Sequence, residues 1–207
     1  MNFSDIDHYL HAVTPKRSHV LADMERYARK HGFPIIGPLV GRLLFQMATA
    51  TKARRVLELG SGYGYSAFWF ALATGRQGQI TMSDMDPANR EQALQHFKKG
   101  GLEARFRYHL GDALEIAAGL KGPFDIILND IDKEDYPKTI DVAARLLRPG
   151  GLFITDNVLW SGRVYDLRNT EPATRGVRRF VKRLYADQRF FTTIIPLRDG
   201  IAMAVRV

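Results

Sequence analysis

Arg55-Val56-Leu57-Glu58-Leu59-Gly60-Ser61-Gly62-Tyr63-Gly64-Tyr65-Ser66 reads as a strand, a glycine-rich turn and a helix start. In that context glycines let backbone amides approach a ligand closely. The spacing is G-x-G-x-G. A dinucleotide fingerprint would place its third glycine at position 65, and Tyr65 is far too large for that role. The stretch therefore predicts an α/β fold that holds an adenosine-type ligand other than NAD.

Two helical segments precede this strand, about Ser18–Lys30 and Gly37–Ala50. In the second, Leu39, Leu43, Leu44 and Met47 recur at helical spacing. Five β-like runs follow: Arg55–Leu59, Gln79–Asp84, Arg105–Leu110, Phe124–Asp130 and Leu152–Asp156. They alternate with helices near Tyr65–Thr74, Pro87–Lys99, Ala113–Leu120, Tyr136–Leu147 and Thr174–Asp187. Such alternation implies a parallel sheet covered on both faces. Phe190–Leu197 and Ile201–Val207 break the rhythm, and Asp199-Gly200 between them is a hairpin signal. The expectation is a doubly wound, mostly parallel, seven-stranded Rossmann-like sheet with a C-terminal antiparallel hairpin. One domain should span 1–207, with 1–52 as an N-terminal helical cap.

The 207 residues are 45% hydrophobic, enough for one buried core, and no linker divides them. No run of about 18 apolar residues occurs, so no membrane span or membrane partner is expected. The acidic start, Met1 to Asp7, does not resemble a signal peptide. Cysteine is absent, which excludes disulfides and thiolate metal sites and fits a cytoplasmic location. Thirty basic against twenty-two acidic side chains leave a net charge of +8. That excess attracts an anionic partner such as RNA, or simply keeps a chain in solution.

Glu58, Asp84, Asp112, Asp130 and Asp156 fall at or just beyond the ends of five successive strands. In an open parallel sheet these ends share one edge, so carboxylates line the ligand crevice. A pyrophosphate would be repelled there. S-adenosylmethionine, with an ammonium, a sulfonium and a ribose diol, would be attracted. Glu58 would face its methionine end, Asp84 its ribose hydroxyls, and Asp112-Ala113 its adenine. The competing reading makes these acids helix N-caps, as expected for Asp86 before Pro87.

Asn129-Asp130-Ile131-Asp132-Lys133 ends the fourth strand and Asp156-Asn157 the fifth. Asp130, Asp156 and Asn157 offer three oxygens on neighbouring strand ends, which favours a hard cation such as Mg²⁺ over zinc. Standing alone, Asp156-Asn157 would be ordinary turn residues.

Leu57 to Ser66, Gly111-Asp112-Ala113, Asp130-Ile131-Asp132-Lys133 with Tyr136, and Asp156-Asn157-Val158-Leu159-Trp160 together resemble the cation-dependent O-methyltransferases. That family includes catechol and caffeoyl-CoA enzymes, and the likeness runs from about Phe33 to the C-terminus. The resemblance implies a class I methyltransferase fold and a homodimer. It makes Asp130, Asp156 and Asn157 the ligands of Mg²⁺ (or Ca²⁺ or Mn²⁺), Lys133 the catalytic base, and Trp160 with Lys133 the substrate contacts. Cofactor contacts would come from Glu58, Gly60, Ser61, Gly62, Tyr63, Ser66, Asp84, Met85, Asp112, Ala113, Asp130 and Asp132. The implied chemistry is coherent. A cation chelating two neighbouring oxygens makes the hydroxyl to be methylated more acidic, and also favours the neutral form of a lysine that must accept its proton. In-line attack on the sulfonium methyl then depends mainly on positioning.

Two positions depart from the family. Many relatives carry Ser or Thr before the Leu39–Met47 helix, where this chain has Ile35-Ile36-Gly37-Pro38. In the late helix relatives often have Asn after Phe, whereas Val181 follows Phe180 here.

Val177, Phe180, Val181 and Leu184 form an apolar stripe on that late helix, with Arg175, Arg178, Arg179, Lys182 and Arg183 largely opposite. A solvated face explains this pattern, and a surface for RNA phosphates also would, extended by Arg163 and Arg168. Some bacterial relatives methylate a hydroxylated uridine in tRNA. Trp160 and Tyr165 would suit a flat aromatic ring equally well. The sequence thus leaves three readings: a small-molecule O-methyltransferase acting on a catechol-like hydroxylated aromatic, a tRNA (5-hydroxyuridine) methyltransferase, and a non-catalytic cofactor-binding module.

Overall fold

The computed structural model describes residues 3–207. Helices α1 (Phe3–Val13), α2 (His19–His31) and α3 (Gly37–Ala50) precede strand β1 (Arg55–Leu59). Alternation follows through α4 (Tyr65–Ala73), β2 (Gln79–Asp84), α5 (Pro87–Lys99), β3 (Phe106–Leu110) and α6 (Ala113–Gly119). It continues with β4 (Phe124–Asn129), α7 (Tyr136–Leu146), β5 (Leu147–Thr155) and α8 (Pro172–Ala186), and ends in β6 (Phe190–Ile195) and β7 (Ile201–Arg206).

One sheet of order β3-β2-β1-β4-β5-β7-β6 results. Strands β1 to β5 are mutually parallel, while β7 lies antiparallel between β5 and β6. The doubly wound sheet with a closing hairpin is therefore what the chain forms. Strand order reverses between β1 and β4, which opens a crevice at their carboxyl ends.

Period-two alternation sorts the core. Val56 of β1, Ile80 and Met82 of β2 and Ile126 of β4 pack with α2 to α5, whereas Leu57 and Leu59 face the layer of α6 to α8. In that second layer Val177, Phe180 and Leu184 of α8 are fully buried, each worth roughly 1.5–3 kcal/mol. Ser18 caps α2 by accepting from Leu21 N, and Asp86 caps α5 by accepting from Ala88 N at 2.8 Å.

Three local differences from the sequence reading are instructive. Helix α1 was not anticipated, although Ile6, Leu10 and Val13 recur at helical spacing. Strand β5 begins at Leu147 rather than Leu152, because Leu147 already pairs with Phe124 before an irregularity in the register. In the β6–β7 turn the left-handed residues are Arg198 and Gly200, so Asp199-Gly200 is not its central pair. Among the described residues, no helix is long and apolar enough to cross a membrane.

Candidate active site

A cavity of about 830 Å³ opens along the carboxyl ends of β1 to β5. Gly60, Ser61, Gly62, Tyr63 and Ser66 border it from the glycine turn, and Asp84, Met85, Asp112 and Ala113 from the next two strand ends. Asp130, Asp132 and Lys133 follow β4, while Asp156, Asn157 and Trp160 follow β5. The structure thus brings together every candidate cofactor, metal and catalytic residue except Glu58, while Tyr165, the expected partner of Trp160 in an aromatic wall, lies exposed outside the cavity.

Glu58 lies behind the wall. Its side chain alternates to the same face as Val56, under α4, and is wholly buried. There it accepts from the Ser66 hydroxyl, and its second oxygen has no partner among the described residues. Burial pushes this carboxyl up to about 8, against the opposing pull of the Ser66 hydrogen bond. Ser66 and Ser61, which contact Glu58 from the cavity wall, stand between it and the cavity.

The turn itself is fixed by packing and by hydrogen bonds. Gly60 has φ +77, and a Cβ there would lie 2.5 Å from the Asp130 carbonyl oxygen. Gly64 (φ +85) faces the end of the Met82 side chain, where a Cβ would lie 2.7 Å from Met82 Cε. Gly62 N donates to Asp84 Oδ2 at 2.9 Å, and Tyr108 donates to the Gly62 carbonyl at 2.6 Å. Asp84 also accepts from Asp86 N and Asn89 Nδ2, both at 3.0 Å, so it braces the turn besides facing the cavity. Asp112 caps α6 by accepting from Leu114 N and Glu115 N at 2.8 and 2.9 Å. The capping and ligand-facing readings therefore coexist at this residue.

At the other end, Lys133 Nζ donates to Asp130 Oδ1 at 2.8 Å and to the Ile131 carbonyl at 3.3 Å. It stands 5.1 Å from the Tyr136 ring centre and 5.6 Å from that of Trp160. Tyr136 OH bridges the strand ends, donating to the Asp156 carbonyl at 2.9 Å and lying 3.5 Å from Asp130 Oδ1. Asp156 is buried and pushed up to about 7, by burial first and by the Asp130 carboxylate second. Burial likewise raises Asp130, opposed by the Lys133 charge. Asn157 Nδ2 donates to Asp199 Oδ2 at 3.3 Å, which leaves its carbonyl oxygen as the free end. Among the described residues no three His, Cys, Asp or Glu side chains cluster for a metal; this candidate set is two carboxylates and an amide.

Backbone strain concentrates here. Asn157, Trp160, Ser161 and Arg198 have φ of +58, +47, +51 and +55, which leaves Lys52 as the one other non-glycine left-handed residue described. Helix α8 supports the Lys133 turn from beneath. A Cβ on Gly176 would lie 2.2 Å from the Lys133 carbonyl oxygen. Arg178 does not point to a partner: it donates to the carbonyls of Val164, Asn169, Arg163 and Asp166, clamping the segment after Trp160. Val181 packs against the second core layer, and Ile35 and Ile36 give the cavity an apolar border without hydroxyls.

Sequence reasoning missed a clamp on the turn. Tyr63 OH donates to the Met24 carbonyl and Tyr65 OH to Glu25 Oε1, both at 2.9 Å. Arg17 grips both oxygens of the buried Glu25. The available signal was a carboxylate lying on the apolar stripe of α2, beside Leu21, Met24 and Ala28.

The sheet order, the glycine turn after β1 and the acid-lined edge define a class I S-adenosylmethionine-dependent methyltransferase. Comparison makes this specific. The O-methyltransferase family model matches residues 12–207, and the chain belongs to that family. A catechol O-methyltransferase of Niastella koreensis is 33% identical over 98% of this chain and 97% of its own length. Among solved structures, the O-methyltransferase TomG of Streptomyces achromogenes, in complex with SAM, superposes with a TM-score of 0.89. It is 28% identical, covering 98% of this chain and 96% of its own. An O-methyltransferase of Bacillus cereus in complex with SAH gives a TM-score of 0.89 at 27% identity, covering 98% and 97%. The protein is an S-adenosylmethionine-dependent O-methyltransferase.

Proposed function

We propose that this enzyme methylates a hydroxyl of a catechol-like small molecule and uses a divalent cation, Mg²⁺ first among candidates. One observation carries the reading: Asp130, Asp156 and Asn157 border one cavity beside Lys133. The donor set fits a hard cation, since burial and mutual repulsion disfavour the charged forms of the two carboxylates until a cation offsets them, and the Asn157 amide offers an oxygen. When bound, the cation supplies Lewis-acid polarisation of the acceptor oxygens. The chain's residues do the rest. Lys133 Nζ, between the Tyr136 and Trp160 rings, takes the acceptor proton. Trp160, whose buried indole N–H has no partner among the described residues, forms an aromatic wall for the acceptor ring. The glycine turn holds the cofactor, with Asp84 on the ribose and Ala113 near the adenine. A cytoplasmic homodimer completes the proposal; the family resemblance implies the dimer.

The test is methyl transfer from labelled cofactor to a catechol panel and, in parallel, to bulk tRNA, with Mg²⁺ or with chelator. We expect catechol methylation that chelation abolishes, no label in tRNA, and a loss of about 10²–10⁴-fold in kcat for Lys133→Ala. Label in tRNA alone would reject the substrate class. Turnover untouched by chelator would reject the cation, and undiminished turnover in Lys133→Ala would reject the base.

A further inference from the structure

The turn between β6 and β7 carries a side chain that the chemistry above leaves unused. Arg198 occupies the left-handed region, at φ +55, where glycine would sit without steric cost. The turn is rigid. Asp199 Oδ1 accepts from Ser161 N at 2.5 Å, and its Oδ2 accepts from the Asn157 amide. Val158 N and Leu159 N donate to the Gly200 and Asp199 carbonyls at 3.1 and 2.9 Å. A Cβ on Gly200 would lie 2.3 Å from Leu159 Cγ. An arginine in a costly conformation is thus pinned against the segment that bears Asn157 and Trp160. Strain kept in place by its surroundings points to a function.

From this anchor the side chain reaches the start of α3. A Cβ on Gly37 would lie 3.7 Å from Arg198 Nε. Arg198 borders both the active-site cavity and an adjoining one of about 430 Å³, which also share Phe33, Pro34 and Ile35. The smaller cavity adds His11, Arg17 and Arg29. Its acid, Glu25, is already engaged by Arg17 and Tyr65. No hydrogen bond or ion pair to a described residue engages the Arg198 guanidinium. Its charge acts on both Asp130 and Asp156, which sets it within electrostatic reach of the acceptor end.

We propose that Arg198 is a specificity-determining residue that binds a carboxylate on the acceptor, so that the preferred substrate is a hydroxylated aromatic acid. The planar guanidinium matches a carboxylate in two parallel hydrogen bonds. With Arg17 neutralised by Glu25, Arg29 is the further positive charge that the neighbouring cavity adds for the acid group, while the hydroxyls lie toward Asp130 and Asp156. This inference rests on the catechol-like acceptor proposed above.

The experiment measures binding of 3,4-dihydroxybenzoate and of its methyl ester to the enzyme loaded with S-adenosylhomocysteine and Mg²⁺, by calorimetry. The wild type is expected to bind the acid about tenfold more tightly than the ester, the scale of one charged hydrogen-bonded contact. In Arg198→Gly that ratio should fall to about one, and Arg198→Lys should recover part of it. Glycine suits the backbone at this position, so the melting temperature of Arg198→Gly should hold or rise, separating lost recognition from lost fold. Equal binding of acid and ester by the wild type overturns the proposal, as does an acid preference that survives Arg198→Gly. Weakened cofactor affinity with the acid preference intact assigns Arg198 to the methionyl carboxylate instead, and also overturns it. Turnover is read separately. If neither compound is methylated, the catechol reading fails, while the binding ratio still decides the role of Arg198.

Discussion

Replacing Gly60 by alanine tests whether the cofactor turn and the end of β4 are one packed unit. Two costs apply. Placing a Cβ at φ +77 costs about 1–2 kcal/mol. The new methyl would also lie 2.5 Å from the Asp130 carbonyl oxygen, 2.8 Å from its carbon and 3.0 Å from Ile131 N. All three are backbone atoms, so no side chain can swing away. Overpacking of this kind adds about 1–3 kcal/mol. Gly75→Ala is the internal control, since it meets a similar φ of +67 but nothing within 4 Å. Both variants lose the same unfolded-state entropy of glycine, so that contribution cancels in the difference. Gly60→Ala should therefore melt below Gly75→Ala by about 2 kcal/mol, or roughly 4–8 °C for a chain of this size. A second readout is independent of stability. The displaced turn carries Ser61 and Gly62 on the cavity wall, so calorimetry should show cofactor affinity lowered about tenfold or more in Gly60→Ala, equivalent to about 1.4 kcal/mol. Gly75→Ala should bind normally. Equal melting temperatures together with equal cofactor affinities would refute the close approach.

Two further perturbations follow from the same structure. Between about pH 4.5 and about 8 the folded protein keeps the Glu58 proton that the unfolded chain has lost. Stability should fall as pH rises through that window, at most about 1.4 kcal/mol per unit, and level off above it. Glu58→Gln should flatten this slope in melting curves taken from pH 5 to 9; parallel curves for both proteins would sink the assignment. Arg178→Ala removes the donor to four backbone carbonyls and should cost about 2–3 kcal/mol. Exposed Arg179→Ala should stay within about 0.5 kcal/mol, and thermal unfolding that ranks the two equally would contradict the clamp.

Much of this enzyme was legible in the chain because the signals are local. Apolar periods of about 3.6 and of 2 separate helix from strand within a few residues, and their alternation commits the sheet to parallel order. Asp and Asn at successive strand ends then had to share one edge, which is why Asp84, Asp112, Asp130, Asp156 and Asn157 were found together. The glycine turn after β1 was likewise read at its place from its spacing, and its Gly60, Gly62 and Gly64 border or support the cavity at positive φ.

Tertiary structure alone decided what covers each of those faces and what holds the side chains on them. Glu58 reads in the chain as an acid at the end of β1, and only packing shows that α4 covers it and that Ser66 holds it. Gly60 reads as room for a ligand, and its closest constraint is the carbonyl of a residue seventy positions later. Arg178 looked free to meet phosphate, and its four acceptors fix it to the segment after Trp160. The Arg17–Glu25–Tyr65 clamp joins residues up to 48 positions apart. Periodicity along the chain fixes an element and its faces. Contacts between distant elements exist only once those faces pack, so no local pattern could announce them.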